Sequence, residues 1–313
     1  MEGMKAEQLR HQVRRLLRNR GLLDNLYGQS GLTTVQCHAL IEIDALPTTL
    51  PDLSVALNVD TNNASQTLAI LINQGLVEQL PEQESSSVPA YTLTDSGRGK
   101  LNEHHRQMNG EITEYVAQMD DDEIHFLLHT LDRYNRAMEK VPLQRGYTLR
   151  PIEPIDNPGI AAVIRAATRE YGLTDGQGFS ATDPALDSLS ETYKPGNAGY
   201  WVIEKDLKIL GGAGIAPLEG KPKIAELQKL YLRPECRSLG LGRRLAVTAL
   251  KFARENGYQA CYAETTRALP IARAMLLSLG FEELDNPVGN TGHTECDLRF
   301  IKTFHPQTNK ATG

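Results

Sequence analysis

Along residues 5 to 140 the apolar positions recur at three- and four-residue spacing, the period of amphipathic helices, with one break for a short hairpin. From 146 to 305 short strand-like apolar runs take turns with helical ones, the pattern of strands interleaved with helices. The change falls at KVPLQRGYTLRPIEP, 140–154, whose three prolines follow a long amphipathic stretch and cannot continue it. The pattern therefore predicts two domains: a mainly α domain over 1–145, an α/β domain over 146–305, and a flexible tail at 306–313.

Within the first domain, residues 31 to 80 read as a helix, a second short helix, a turn at Val59-Asp60 and a third helix ending at Gly75. Leu53, Leu57, Ala64, Leu68 and Ile72 fall where the last two helices must pack. A hairpin follows, VEQLPEQESSSVPAYTLT, with a polar tip and a returning strand at Ala90–Leu93. The third helix presents Asn62, Asn63, Ser65 and Gln66, side chains able to hydrogen-bond base edges.

The second domain contains AELQKLYLRPECRSLGLGRRLAVTALKFARENGY, 225–258, which reads as strand, glycine-rich turn and helix. Pro234 ends the strand, and an amphipathic helix runs from about Gly240 to Asn256 with Gly257 as its stop. Between them, Gly240 and Gly242 let the backbone turn tightly and aim successive N–H groups at one point, where the helix N-terminus adds partial positive charge. Such a turn suits a pyrophosphate, and Arg243 and Arg244 can add charge to it. It lacks the GK[ST] ending of a nucleotide P-loop, which argues against ATP.

Composition narrows the class. Hydrophobic residues make up 40% and charged residues 23%, an ordinary globular balance. The longest apolar runs, such as LAILI at 68–72, are far short of the roughly 20 residues that span a bilayer, and the basic N-terminus has no apolar core of a secretion signal. A cytoplasmic protein without membrane contact is expected. Four scattered cysteines without a CxxC pair argue against a disulfide framework, and the histidine pairs His104/His105 and His125/His129 lack a third ligand, so no metal is expected. Charge divides unevenly: residues 1–145 carry 13 Lys+Arg against 20 Asp+Glu, a net of −7, whereas 146–313 carry 20 against 19. An acidic half is unusual for nucleic-acid binding, which draws its non-specific affinity from cations that neutralise phosphates.

Two resemblances give these patterns a function. RSLGLG, 237–242, resembles the acetyl-CoA motif Q/R-x-x-G-x-G/A of the GNAT acetyltransferases, and the likeness extends over about 146–305. Strands at 199–218 look like the pair before the motif, QACYAETT, 259–266, like the strand that splays to admit pantetheine, and LPIARAMLLSLGF, 269–281, like the helix ending in LGF. The resemblance implies an α/β GNAT fold with a mixed, mostly antiparallel sheet and acetyl-CoA as co-substrate. It places acetyl-CoA on Leu230, Tyr231 and Leu232 and on Arg237, Ser238, Leu239, Gly240, Leu241, Gly242, Arg243 and Arg244. Glu226 matches a position where relatives carry a catalytic base. Tyr193, His293 and Glu295 are candidate contacts for a small amine acceptor. Where many members carry a proton-donating tyrosine, this chain has Leu276, which leaves Tyr262, water or an unassisted thiolate. The first domain resembles the MarR family of winged-helix regulators through LTxxQxxxL, TNNASQT and YTLTDSGR. That likeness implies a mainly α winged helix-turn-helix with a β-hairpin wing, double-stranded DNA as partner, and a homodimer built on the outermost helices, about 5–27 and 121–140. The wing lacks the basic pair the family commonly carries. Three readings stay open: a regulator fused to an active acetyltransferase, a regulator whose second domain only senses acetyl-CoA or a metabolite, and an acetyltransferase whose first domain only dimerises.

Overall fold

The structure, a computed structural model, describes residues 2–22, 30–81, 88–173, 183–194, 196–289, 291 and 296–304. The chain divides into two compact units, Met1–Thr130 and Leu131–Gly313. The division falls inside a helix, whose end at Lys140 lies against Gly240 within the second unit.

In the N-terminal unit the order is α1 (Glu2–Asn19), α2 (Thr34–Ala45), β1 (Thr48–Thr49), α3 (Leu50–Ala56), α4 (Thr61–Asn73), β2 (Val77–Gln79), β3 (Ala90–Leu93), α5 (Asp95–Val116) and the first part of α6 (Asp121–Leu143). Local chemistry sets the helix starts. Thr33 and Gln36 form a reciprocal capping box on α2, Thr49 caps α3, and Asp60 accepts from the Asn63 N–H at 2.8 Å to cap α4. Leu40, Ile43, Leu53, Leu68, Leu71 and Leu93 close one core between α2, α3, α4 and the antiparallel sheet β1-β3-β2. On α4 this buries Ala64, Thr67, Leu68 and Leu71 and leaves Asn62, Asn63, Ser65 and Gln66 exposed together. α1 ends at Asn19, before the end of the 5–27 span that the resemblance implies, and residues 23–27 of that span lie outside the described residues. The tip of the hairpin expected as a wing, residues 82–87, lies outside the described residues.

The C-terminal unit adds β4 (Thr148–Pro151), α7 (Asn157–Glu170), α8 (Leu189–Thr192), β5 (Gly199–Lys205), β6 (Lys208–Leu218), β7 (Lys221–Leu232), α9 (Leu241–Glu255), β8 (Ala260–Thr265), α10 (Pro270–Ser278), β9 (Glu282–Leu284) and β10 (Leu298–Thr303). Its strands form one seven-stranded sheet in the order β4-β5-β6-β7-β8-β10-β9, antiparallel throughout except for the parallel pair β7–β8. That pair needs a crossover, and α9 supplies it. α9 and α10 cover one face, where Ala246, Ala249, Leu250, Leu276, Phe281 and Phe300 are buried. α7 and the segment 184–192 cover the other with Ile160, Ile164, Leu186, Leu189 and Tyr200. Among the described residues both faces of the sheet are thus covered by helices. Within 183–194, Leu186, Leu189, Ser190 and Tyr193 are buried against the sheet. Among the described residues no helix is long and apolar enough to cross a membrane, and no group of three His, Cys, Asp or Glu could hold a metal ion.

Candidate active site

The centre of the sheet holds the site, and β7 organises it. Ala225 and Leu227 enter the core under α9, so strand alternation turns Glu226 and Gln228 to the opposite face. β7 pairs with β8 only from Ile224↔Ala260 to Glu226↔Tyr262. Just beyond, Lys229 takes a left-handed conformation, φ 49°, and the register against β6 shifts between Gly212 and Gly214. Such a bulge bends its strand, here where the parallel ladder ends. Tyr200 fixes the bulge by donating from its hydroxyl to the Lys229 carbonyl at 3.0 Å, and the Lys229 ammonium pairs with Asp183 at 2.6 Å.

Between the parted strands lies a cavity of about 110 Å³. Residues 226–231 of β7 form one wall and 263–266 the other, with Leu269, Met275 and Leu276 along α10 and Cys296 closing the remainder. Glu226, 4% exposed, lines it, and its Oε2 accepts from Gln228 Nε2 at 2.6 Å. The Gln228 Oε1 accepts in turn from the Tyr193 hydroxyl at 2.7 Å. Gly214 makes this relay possible, since a Cβ there would stand 2.6 Å from the Tyr193 ring. Burial, then the Glu226 charge, holds the Tyr193 phenol far above its ordinary range, so it is a fixed donor at any working pH.

A second carboxylate, Glu264, lines the same cavity and accepts from Tyr262 and Thr291 hydroxyls, each at 2.6 Å. Burial and the neighbouring carboxylates Glu264, Asp297 and Glu226 push the Cys296 thiol up to about 12. Among the described residues the cavity is lined by the carboxylates Glu226 and Glu264, and its Lys229 pairs with Asp183.

The glycine turn stands at the end of the same strand. Ser238 and Gly240 are left-handed, φ 63° and 81°, on either side of Leu239, and Gly240 is the N-cap of α9 with no side-chain partner for the first amides. A Cβ at Gly242 would meet Leu232 at 3.3 Å, so this glycine also lets α9 approach β7. The turn fits an anionic group held by backbone N–H donors.

Over residues 163–281 the chain matches the acetyltransferase (GNAT) family. It is 45% identical over 170 residues to the uncharacterised N-acetyltransferase YjgM of Escherichia coli, a match spanning 54% of this chain and 98% of that one. The chain belongs to the GNAT family. It is also similar to the probable N-acetyltransferase camello of Xenopus laevis, 31% identical over 98 residues, 31% of this chain and 45% of that protein. Among solved structures, a GNAT acetyltransferase of Staphylococcus aureus Mu50 has TM-score 0.45 at 14% identity, covering 50% of this chain and 98% of that one. The PaiA N-acetyltransferase of Thermoplasma acidophilum, solved with coenzyme A, has TM-score 0.42 at 17% identity, covering 50% and 99%. The C-terminal unit is a GNAT N-acetyltransferase.

Within that GNAT unit the residues expected at the site fall in different places. Glu226, Leu230, Tyr231 and Leu276 line the cavity, and Leu276 offers no proton. Tyr231 and Leu232 also pair with Gly212 and Gly211 of β6. Arg237 is turned away from the amides: its guanidinium grips Glu170 at 2.5 and 2.6 Å and the Leu232 carbonyl, fastening the turn to α7. Arg243 donates to Ser278 at the end of α10, and Arg244 is exposed. Tyr193 stands behind the cavity and reaches it through Gln228. Tyr262 is fully buried outside the cavity, its hydroxyl committed to Glu264. His293 and Glu295 lie outside the described residues. Sequence reasoning missed Gln228, Glu264 and Cys296. Gln228 carried a usable signal, being two residues from Glu226 on the same strand face, while Glu264 and Cys296 join only through the sheet.

Proposed function

We propose that the C-terminal unit transfers the acetyl group of acetyl-CoA to the amine of a small, positively charged molecule. The observation that carries this reading is the buried Glu226 carboxylate at the mouth of the β7–β8 split, with the glycine turn at the end of the same strand. The turn from Arg237 to Arg244 receives the pyrophosphate, and the parted strands at Leu230–Leu232 receive pantetheine. The acceptor enters as an ammonium, drawn by Glu226 and Glu264, and must lose a proton before it can attack. Glu226 takes that proton, directly or through water, held in place by Gln228 and Tyr193. The amine nitrogen then bonds the thioester carbonyl carbon, the C–S bond breaks, and the CoA thiolate leaves. The attacking nitrogen gives its second proton to solvent as the amide forms. The CoA thiolate is a stable enough leaving group to depart beside Leu276 and take one proton from solvent, and Glu226 releases to solvent the proton it accepted. The test is release of free CoA thiol from acetyl-CoA with a panel of amines. Cationic di- and polyamines should react at lower concentration than neutral or carboxylate-bearing amines. No thiol release with any amine would overturn the reading.

A second reading concerns the N-terminal unit: it binds double-stranded DNA as a homodimer. The supporting observation is the shared exposure of Asn62, Asn63, Ser65 and Gln66 on α4, the second helix of a helix-turn-helix pair followed by a hairpin. Leu9, Leu16, Leu17, Phe126, Leu127 and Leu131 are exposed on α1 and α6, as a dimer surface would require. Sedimentation of the full chain with a selected duplex tests both parts. A monomer that shifts no selected sequence would overturn it.

A further inference from the structure

The donor turn is held from behind by a residue outside the 163–281 family match. Gln144, just past the end of α6, donates from its Nε2 to the Leu239 carbonyl at 3.0 Å. The same amide nitrogen stands 2.9 Å from where a Gly240 Cβ would be, and Lys140 Cβ and Cγ follow at 3.4 Å. The turn thus leans on the end of α6 at the two residues where its backbone reverses.

The Leu239 carbonyl and the Gly240 N–H belong to one trans peptide, so they point in opposite directions. A donor that fixes the carbonyl therefore fixes the N–H on the far side. A hydrogen bond accepted at the carbonyl also polarises the peptide and makes its N–H a better donor. Ser238 and Gly240 are both left-handed, a combination with few local restraints, and the Leu239 side chain is only partly buried. Without Gln144 the 239–240 peptide has no side-chain partner among the described residues to keep its orientation.

We propose that Gln144 is a positioning residue for the acetyl donor, aiming the Gly240 N–H at the donor's pyrophosphate by holding the opposite end of that peptide. The inference rests on the turn being the pyrophosphate site. The effect should therefore be confined to donors that carry a pyrophosphate.

The experiment compares acetyl-CoA with S-acetylpantetheine, which lacks the nucleotide and pyrophosphate, on the full chain. Gln144→Leu should raise Kd and KM for acetyl-CoA by about five- to tenfold, the loss expected of one hydrogen bond, and leave kcat and the acceptor KM unchanged. Gln144→Glu, which replaces the donor with a charge opposed to both carbonyl and phosphate, should do worse. With S-acetylpantetheine both variants should match the parent. Equal losses with the two donors would mean that Gln144 only supports the fold, and an unchanged acetyl-CoA affinity would overturn the proposal. Gly240→Val is the control. If it weakens acetyl-CoA while Gln144→Leu does not, the Gln144 inference fails alone; if it too binds normally, the pyrophosphate assignment fails first.

Discussion

The two units spend their residues differently. The C-terminal unit buries a seven-stranded sheet between helices on both faces and builds its cavity from its own backbone, by a bulge and an interrupted ladder. Among the described residues the N-terminal unit has one core cluster, and its part of α6 has no buried residue while the apolar side chains Phe126, Leu127 and Leu128 stand exposed. One unit encloses its candidate site within its own fold; the other leaves much of its apolar helix surface exposed. A backbone site leaves spaced glycines in the sequence. A partner surface leaves only exposed residues of suitable type.

The sharpest way to break this comparison is to remove chemistry without disturbing the first unit. Glu226→Gln keeps the shape and the contact with Gln228 but cannot take a proton, and kcat should fall by roughly a hundredfold, with acetyl-CoA affinity near its starting value. Steady-state thiol release and calorimetry measure the two quantities. Full turnover in this variant would move the base elsewhere. Gly240→Val comes next. Its φ of 81° is strained for any β-branched residue and the new Cβ would crowd Gln144, so acetyl-CoA affinity should fall tenfold or more, about 1.4 kcal/mol, while the stability of the N-terminal unit stays as before.

How much of this could be read from the sequence follows the same division. RSLGLG, its strand and its helix were legible because each step is local: Pro234 ends a strand, Gly240 opens a helix, and the helix was expected over the span where α9 lies. Gln228, Glu264 and Cys296 were not, because they meet through strand pairing across β7, β8 and the segment before β10. Nothing marks Lys229 as the bulge, since lysine has no preference for positive φ. The helices α3 and α4 were legible from periodicity and caps. The two-residue strand Thr48–Thr49, which pairs with β3, was too short to give a period.

A smaller effect probes the N-terminal side. With a net charge of −7 over residues 1–145 and no cation on α4, few phosphates can be neutralised, so log affinity against log salt should have a shallow slope. Specificity would then come from Asn62, Asn63, Ser65 and Gln66, where a good bidentate base contact is worth roughly 1–3 kcal/mol. A selected and a scrambled duplex titrated across a salt series decide it. Tight binding to the scrambled duplex, or a steep slope, would mean that a dimer assembles a basic surface.

The smallest effect separates the units by acid. His104 is 3% exposed in the N-terminal unit, its Nδ1 3.9 Å from the Cys37 sulfur. Burial, then the neighbouring His105 and His38, lowers its pKa below the usual 6.5. The unfolded chain then binds a proton more readily than the folded one, so stability present above pH 6.5 is lost as pH falls toward the folded value. In the C-terminal unit Asp156 behaves oppositely. Burial raises its pKa, but hydrogen bonds from Arg150 and from the Glu153 N–H outweigh this and hold it below 3.8. Its contribution is present above that value and is lost only in stronger acid. Between pH 7 and 5 the N-terminal unit should therefore soften first, seen as earlier amide exchange in α2 and α5, while the Arg150–Asp156 pair keeps β4 joined to the start of α7. His104→Gln should flatten the pH dependence of the first unit and leave the second unchanged. If both units lost protection together across this range, their stabilities would be coupled, and the contrast between the two units would not extend to their folding.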